Sequence, residues 1–484
     1  MKRTSTDMNR AATPTLEAGL ANVVHRAPAE TCGEAMSITE LQMCSVPPLH
    51  DNPSLDYAQA GQKIRDWLYS GAKPQSESEI KEIASFCVRQ KLPNALSWLV
   101  LQCEIDNLKL PSCELGSEGM QMIAGWLEHC PRPIDLDIAH NNISEEGAFA
   151  LASALKTNST VTGLNVCGNY ISARGAEALA DALKTNSTLT TLEISENEID
   201  ATSIAVLADA LKINSTLAHL RVHSSNNQKH LLGDADAAKF ADALKTNSTL
   251  TSLEISSHEI DVAGAAALAD ALRTNSKLIN LNLANNTFGD AGAAVLADAL
   301  KNNSTLTNLD VSNNGIGDTG AAAFAAALER NSTLTVLDVC HQFIGNAGIA
   351  ALANALKTNS TLTDLIYGEE NDCDEKYAEA VVFDALQDNV TLTGLDGEGG
   401  PFSTEPVRRR LQVNRNAKPF ALAAADAFMT LPTSWESKLS LEVGALIVKE
   451  MIVRAPVEGD GVEGLKSLII ASDIVKQRHC DETS

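Results

Sequence analysis

His219, Arg221 and His223 alternate along the chain, so in an extended strand all three side chains leave one face. Two imidazoles and a guanidinium could hold a metal, move a proton or seat an acidic group. Metal binding fails on reach. Two histidines four residues apart on a strand stand roughly 13 Å apart, too far to share one zinc ion. His258 would add at best the second member of a pair. The nucleophiles are no better placed, because Cys167 and Cys340 each stand without a histidine to activate them. His341 follows Cys340 directly and points the other way by strand alternation. No Ser/His/Asp order, no paired-carboxylate pocket and no G-x-x-x-x-G-K-[ST] phosphate loop occurs. The expectation is a protein that is not an enzyme and uses no metal and no cofactor.

The elements that position these residues come from one phrase, anchored on Asn158, Asn186, Asn214, Asn247, Asn275, Asn303, Asn331, Asn359 and Asn389. The spacings are 28, 28, 33, 28, 28, 28, 28 and 30 residues. A fixed period of this length predicts a solenoid of stacked units, none able to bury a core alone. Within a copy, Leu189, Leu192 and Ile194 are core residues and Leu192-Glu193-Ile194 reads as a short strand. Asn197 closes that strand. Its column holds Asn141, Asn169, Asn286 and Asn314 and is expected to fail at Ser225, His258, Gln342, Glu370 and Gly400. The second half of each copy is helical, with Ala176, Leu179, Ala180 and Leu183 on the inner face. Strand and helix alternate, so the strands run parallel. The wider helices curve the stack and leave the strands on the concave face.

The outward position of each strand forms a column: Asp137, Asn165, Glu193, Arg221, Glu254, Asn282, Asp310, Asp338, Ile366 and Asp396. Neighbouring strands lie about 4.8 Å apart, so the carboxylates repel, as a surface made for a basic partner would tolerate. The candidate partner-binding residues are therefore Asp137, Glu193, His219, Arg221, His223, Glu254, Asp310 and Asp338. Arg221 neutralises Glu193 and Glu254 in one reading and centres a binding hot spot in the other. The copy opening at Asn214 also carries five extra residues within Ser225–Ala235, beside that patch.

The chain has 484 residues and a formal charge of −25, which argues against nucleic acid or an anionic membrane as partner. Hydrophobic residues make up 44% and aromatic ones 4%, so the core is aliphatic and rich in alanine. Ten cysteines run from Cys32 to Cys480 without a C-x-x-C, as expected for reduced thiols. No apolar run is long enough to span a membrane, and the start, M-K-R-T-S-T-D-M-N-R, lacks the apolar stretch of a Sec signal. The N-S-T triplets match the glycosylation pattern but recur at nearly every helix-to-strand joint, and we read them as turn chemistry. Residues 1–55 read as a disordered segment, 56–102 as a helical N-terminal cap, 103–415 as about ten or eleven coils, and 416–484 as a helical C-terminal cap or small accessory domain. Arg408, Arg409, Arg410, Arg415 and Lys418 read as a solvated basic helix face.

By these residues the chain resembles leucine-rich repeats of the ribonuclease-inhibitor type, over about 130–415. The resemblance implies an α/β horseshoe with a parallel sheet on the concave face, helices on the convex face, and a folded protein as partner. Ribonuclease inhibitors alternate two repeat types and are rich in cysteine, whereas here one type recurs and only Cys130, Cys167, Cys340 and Cys373 fall within 130–415. The near-identical alanine-rich copies also resemble bacterial type III-secreted effectors. That implies secretion into a host cell without a Sec signal, the alternative being a cytoplasmic protein. Two rival resemblances remain. Gly175-Ala-Glu-Ala-Leu-Ala and Gly264-Ala-Ala-Ala-Leu-Ala match the phrase of the GALA effectors, which implies an F-box substrate receptor for ubiquitin ligation. Leu92-Pro93 is the one F-box-like opening. The other rival is a Ran-type GTPase-activating protein.

Overall fold

The computed structural model describes residue 74 and residues 76–224, 231–368, 371–395 and 406–415. The expectations for 1–55, Ile64–Leu68, Ser225, most of the inserted loop, Glu370, Asp396, Gly400, Lys418 and the helices at Leu439–Val453 and Gly464–Val475 lie outside the described residues. The chain forms two compact units, Met1–Ile171 and Ser172–Ser484.

In the first unit, β1 (Asn107–Lys109), β2 (Ile134–Asp137) and β3 (Val161–Asn165) pair in parallel. Helices Glu77–Arg89 and Pro93–Gln102 precede them. Pro93 opens its helix at the first position, where a missing N–H costs nothing. Ile83, Phe86, Leu96 and Leu99 are buried, and Trp126 Nε1 donates to Ser97 Oγ at 3.0 Å.

The second unit repeats the pattern through β4 (Thr191–Glu193), β5 (His219–Arg221), β6 (Ser252–Glu254), β7 (Asn280–Asn282), β8 (Asn308–Asp310), β9 (Val336–Asp338), β10 (Asp364–Ile366) and β11 (Gly394–Leu395). Within this unit each strand pairs in parallel with the next, and each middle leucine sits beside the next, as Leu281 beside Leu309 and Leu309 beside Leu337. A helix follows each strand from β4 to β10. The core is what the composition requires: Leu250, Leu253, Ile255, Leu268, Ala269 and Ala271 are all within 1% of full burial.

Two asparagine columns bind coil to coil. At the helix-to-strand joint, Asn275, Asn303, Asn331 and Asn359 donate through Nδ2 to the carbonyls of Leu244, Leu272, Leu300 and Leu328, at 2.7, 2.8, 2.7 and 2.8 Å. Each Oδ1 accepts from the two N–H groups ahead; for Asn303 these are Thr305 at 3.0 Å and Leu306 at 2.8 Å. The long copy keeps the joint, with Asn247 donating to Leu211 O at 2.7 Å. In the first unit Asn158 does the same to Leu127 O.

The strand-end column is more complete than the sequence suggests. Asn169 Oδ1 accepts from Asn141 N at 2.8 Å and Ile143 N at 3.0 Å, and its amide reaches Ile138 O. Gln342 makes the equivalent bonds, accepting from Asn314 N and Ile316 N and donating to Val311 O. His258 does so with a ring: Nδ1 accepts from Leu232 N at 3.3 Å, and Nε2 lies 2.9 Å from Val222 O. The expected failures at His258 and Gln342 are therefore corrected. A neutral imidazole, or an amide one methylene longer, presents the same acceptor and donor. In the β10 coil Asn371 takes the role, accepting from Ile344 N at 3.1 Å.

Glycine in the helix phrase also has a cause. Gly317 and Gly345 occupy N-cap positions with no side chain to cap the helix. Asp290 Oδ1 supplies the cap from the preceding coil, accepting from Gly317 N at 2.7 Å and Gly320 N at 2.8 Å. Asp318 does the same for Gly345 and Gly348, and Asp234 for Asp261 and Gly264. A Cβ on Gly320 would lie 2.8 Å from Asp290 Oδ1 and 2.6 Å from Ile316 Cγ2. The G-A-x-A-L-A phrase is thus a packing requirement. We expect Asp290→Ala to cost about 1–2 kcal/mol in urea unfolding, the usual loss of an N-cap, and an unchanged midpoint would refute the relay.

The segment over 406–415 is helical and closes the last described coil. Arg410 is buried and its Nε donates to Leu386 O at 2.8 Å, while Asn414 donates to Leu392 O at 2.8 Å. Burial pushes the Arg410 guanidinium below its ordinary range. The solvated-face reading is corrected for Arg410, which caps the final carbonyls of helix Glu375–Asp388.

Candidate functional site

The outward column lies on the sheet face opposite the helices. Its register follows the strand pairs: Glu193 beside Arg221, Arg221 beside Glu254, Glu254 beside Asn282, Asn282 beside Asp310, and Asp310 beside Asp338. Asp137 and Asn165 form the equivalent pair of the first unit.

Most of these side chains are bound to their own coil. Asp137 Oδ1 accepts from Ala139 N at 3.1 Å, Glu193 Oε1 from Ser195 N at 3.2 Å, Asp310 Oδ1 from Ser312 N at 2.9 Å, and Asp338 Oδ1 from Cys340 N at 3.0 Å. Asn165 and Asn282 make the same bond, to Cys167 N and Ala284 N. The column therefore selects for an acceptor two residues before an N–H that the strand leaves unpaired. Sequence reasoning missed this. The interchange of Asp and Asn down the column is the signal that shows it.

Arg221 is the exposed member, with 61% of its side chain accessible, against 12% for Glu193 and 24% for Glu254. Its Nη1 lies 3.7 Å from Glu193 Oε2 and its Nε 3.3 Å from Glu254 Oε2. Burial raises the Glu193 carboxyl above its ordinary range despite the hydrogen bonds from Ser195 and the nearby cationic groups. His219 is exposed on the same strand, and His223 is half-buried with Nε2 3.4 Å from Glu196 Oε1. His219, Arg221 and His223 thus gather with Glu193 and Glu254 on one patch. His258 is turned inward, with both ring nitrogens engaged.

Asp310 and Asp338 differ from that patch. They stand side by side, and among the described residues no lysine or arginine forms an ion pair with either. Burial pushes Asp338 up, and the Asp310 charge adds to it. The setting of Cys340 disfavours its thiolate. Its thiol lies 2.6 Å from Asp338 Oδ1, and burial together with that carboxylate drives its pKa far above the ordinary thiol range.

A family model described as the TMOD/LMOD leucine-rich domain matches residues 140–256, and a leucine-rich-repeat model matches 246–269, 274–297 and 302–325. No curated protein matches the chain. Among solved structures, Leiomodin-1 Actin-Binding Site 2 is 23% identical over 34% of this chain and 95% of its own, with a TM-score of 0.30. A tropomodulin C-terminal domain from Caenorhabditis elegans is 17% identical over 34% and 97%, with a TM-score of 0.28. A chain of the Rad7 and Elc1 complex in yeast is 15% identical over 77% and 96%, with a TM-score of 0.44. Alternating helices and parallel strands with a fixed sequence period define an α/β repeat protein. The two family models fall on that repeat and mark leucine-rich repeats between residues 140 and 325, in keeping with an α/β leucine-rich-repeat solenoid.

Proposed function

We propose that the chain is a non-enzymatic interaction module of the ribonuclease-inhibitor-like kind, holding a folded, basic protein on the exposed face of its sheet. The observation that carries this reading is the contrast between two acidic places. At Glu193 and Glu254 the chain supplies its own cation, Arg221. At Asp310 and Asp338 no described lysine or arginine forms an ion pair, and at Asp338 burial and the Asp310 charge outweigh the Cys340 hydrogen bonds and the nearby His341. A partner lysine or arginine on Asp310 and Asp338 would relieve that repulsion, while His219, Arg221 and His223 would meet an acidic or polar rim of the same partner. On the first unit Asp137 is the acidic member of the equivalent strand pair. The setting we propose is the interior of a host cell reached without a Sec signal. What supports it is the resemblance of the near-identical alanine-rich copies to type III-secreted effectors.

The Asp310→Asn, Asp338→Asn double variant tests this directly. Asn165 and Asn282 show that asparagine keeps the local bond, so the fold should be unharmed. We expect stability at pH 7 to hold or rise by about 0.5 kcal/mol as like-charge repulsion is relieved. Wild type and variant, as residues 56–484, would be used as baits in eukaryotic host-cell lysate. Basic proteins held by the wild type and lost from the variant support the proposal. An identical set of partners from a folded variant would sink it.

A further inference from the structure

Eight of the joint asparagines, Asn158, Asn186, Asn214, Asn247, Asn303, Asn331, Asn359 and Asn389, are followed by x-Thr and complete the acceptor pattern for N-linked glycosylation. Asn275 is followed by Ser276 and Lys277 and does not. In the folded chain all eight are between 2% and 8% exposed. Their amides also have other work. Asn359 Nδ2 donates to Leu328 O at 2.8 Å and Asn331 O at 3.2 Å, and Asn389 Nδ2 to Leu356 O at 2.8 Å and Asn359 O at 3.1 Å. Asn214, Asn247, Asn303 and Asn331 likewise each meet two carbonyls.

Glycosylation forms a C–N bond from Nδ2 to C1 of the donor sugar. It breaks the bond between C1 and the lipid diphosphate, which leaves with the electron pair, and the amide loses one proton. One donor hydrogen disappears, and a sugar must occupy space already filled by two adjoining coils. We propose that these eight asparagines are glycan acceptors only in the unfolded chain. Modification and folding exclude one another, so the chain gains its structure only where no N-glycosylating enzyme reaches it. Asn142, Asn285 and Asn302 complete the same pattern on exposed positions and can carry a glycan without cost to the fold.

The test is translation of the full chain behind a cleavable signal peptide, with and without microsomes derived from endoplasmic reticulum. Protease resistance and the glycan positions are read by mass spectrometry. We expect the microsomal product to be modified at the eight positions and to lose its protease-resistant fraction, any surviving resistant molecules bearing glycans only at Asn142, Asn285 or Asn302. A second chain replaces the eight threonines at 160, 188, 216, 249, 305, 333, 361 and 391 with alanine. Lys277 shows that the hydroxyl is dispensable, since Lys277 N still donates to Asn275 Oδ1 at 2.9 Å. That chain should resist protease equally in both settings. Three results overturn the proposal: no glycan at any of the eight, a glycan on one of them in the resistant fraction, or an alanine chain that resists protease only outside microsomes.

Discussion

Replacing His258 with asparagine is expected to remove about 3 kcal/mol of acid sensitivity from the Ser172–Ser484 unit between pH 6.5 and 4. Burial lowers the His258 pKa from 6.5 to about 4, helped by the charge of His223 and opposed by Val222 O and Asp236. The ring is neutral when folded. Leu232 N–H donates to Nδ1, so the proton sits on Nε2 and points at Val222 O. Protonation puts a second donor against Leu232 N–H and breaks that bond. The unfolded ring takes its proton near pH 6.5 and the folded ring resists until about 4, so the unfolded state binds more protons in this window. Stability from His258 is therefore complete above pH 6.5 and lost as the pH falls towards 4. Glu193 and Asp338 act in the opposite sense, because their raised carboxyl pKa values favour the folded state on acidification. The informative quantity is thus the difference between wild type and His258→Asn in urea unfolding at pH 7, 5.5 and 4. Asparagine suits the place, since Asn286 makes the matching bonds one coil on, to Ile260 N and Ile255 O. A difference that stays constant across the three pH values would show that the ring does not set the acid limit.

Asn303→Ala is expected to cost about 3 kcal/mol or more. The change removes one side chain and strands four backbone groups: Leu272 O, Asn275 O, Thr305 N and Leu306 N. The cavity is small, so the loss comes from hydrogen bonding rather than packing. In a repeat array the damage falls on one coil junction and weakens the coupling between the coils on either side. Unfolding should therefore become broader as well as earlier. Ser304→Ala, next to it and exposed, is the control and should shift the midpoint by less than about 0.5 kcal/mol. A loss under 1 kcal/mol at Asn303 would mean that water replaces the amide readily.

The fold was legible because every copy states it in the same words. Leu189, Leu192 and Ile194 alternate as strand core, and Ala176, Leu179, Ala180 and Leu183 recur at helical spacing; all are buried. What stayed hidden is chemistry that different residue types can perform alike. His258 and Gln342 look like gaps in an asparagine column until their atoms are seen to accept and donate at the same places. Asp310 and Asn282 look like a charge and its absence until both prove to bind the N–H two residues on. Asp290 lies in the first turn of its own helix, yet it caps the following one. Arg410 reads as one of a solvated row, because a run of arginines does not say which one is turned inward. In each case the partner lies 22 or more residues away or across a turn, where periodicity carries no information about side-chain direction.

The joint asparagine also bears on how such a chain can change its length. Each copy brings its own amide and takes its acceptor from the copy before, so a duplicated 28-residue stretch spliced between two others leaves no donor or acceptor orphaned on either side. The copy from Asn214 to Asn247 is 33 residues long and still reaches Leu211 O, its surplus lying between strand and helix, away from the seam. Inheritance by unequal crossing-over is thus tolerated at one register and punished at others. A slip of one residue inside the joint would misplace every bond there, whereas several residues added to the loop disturb none.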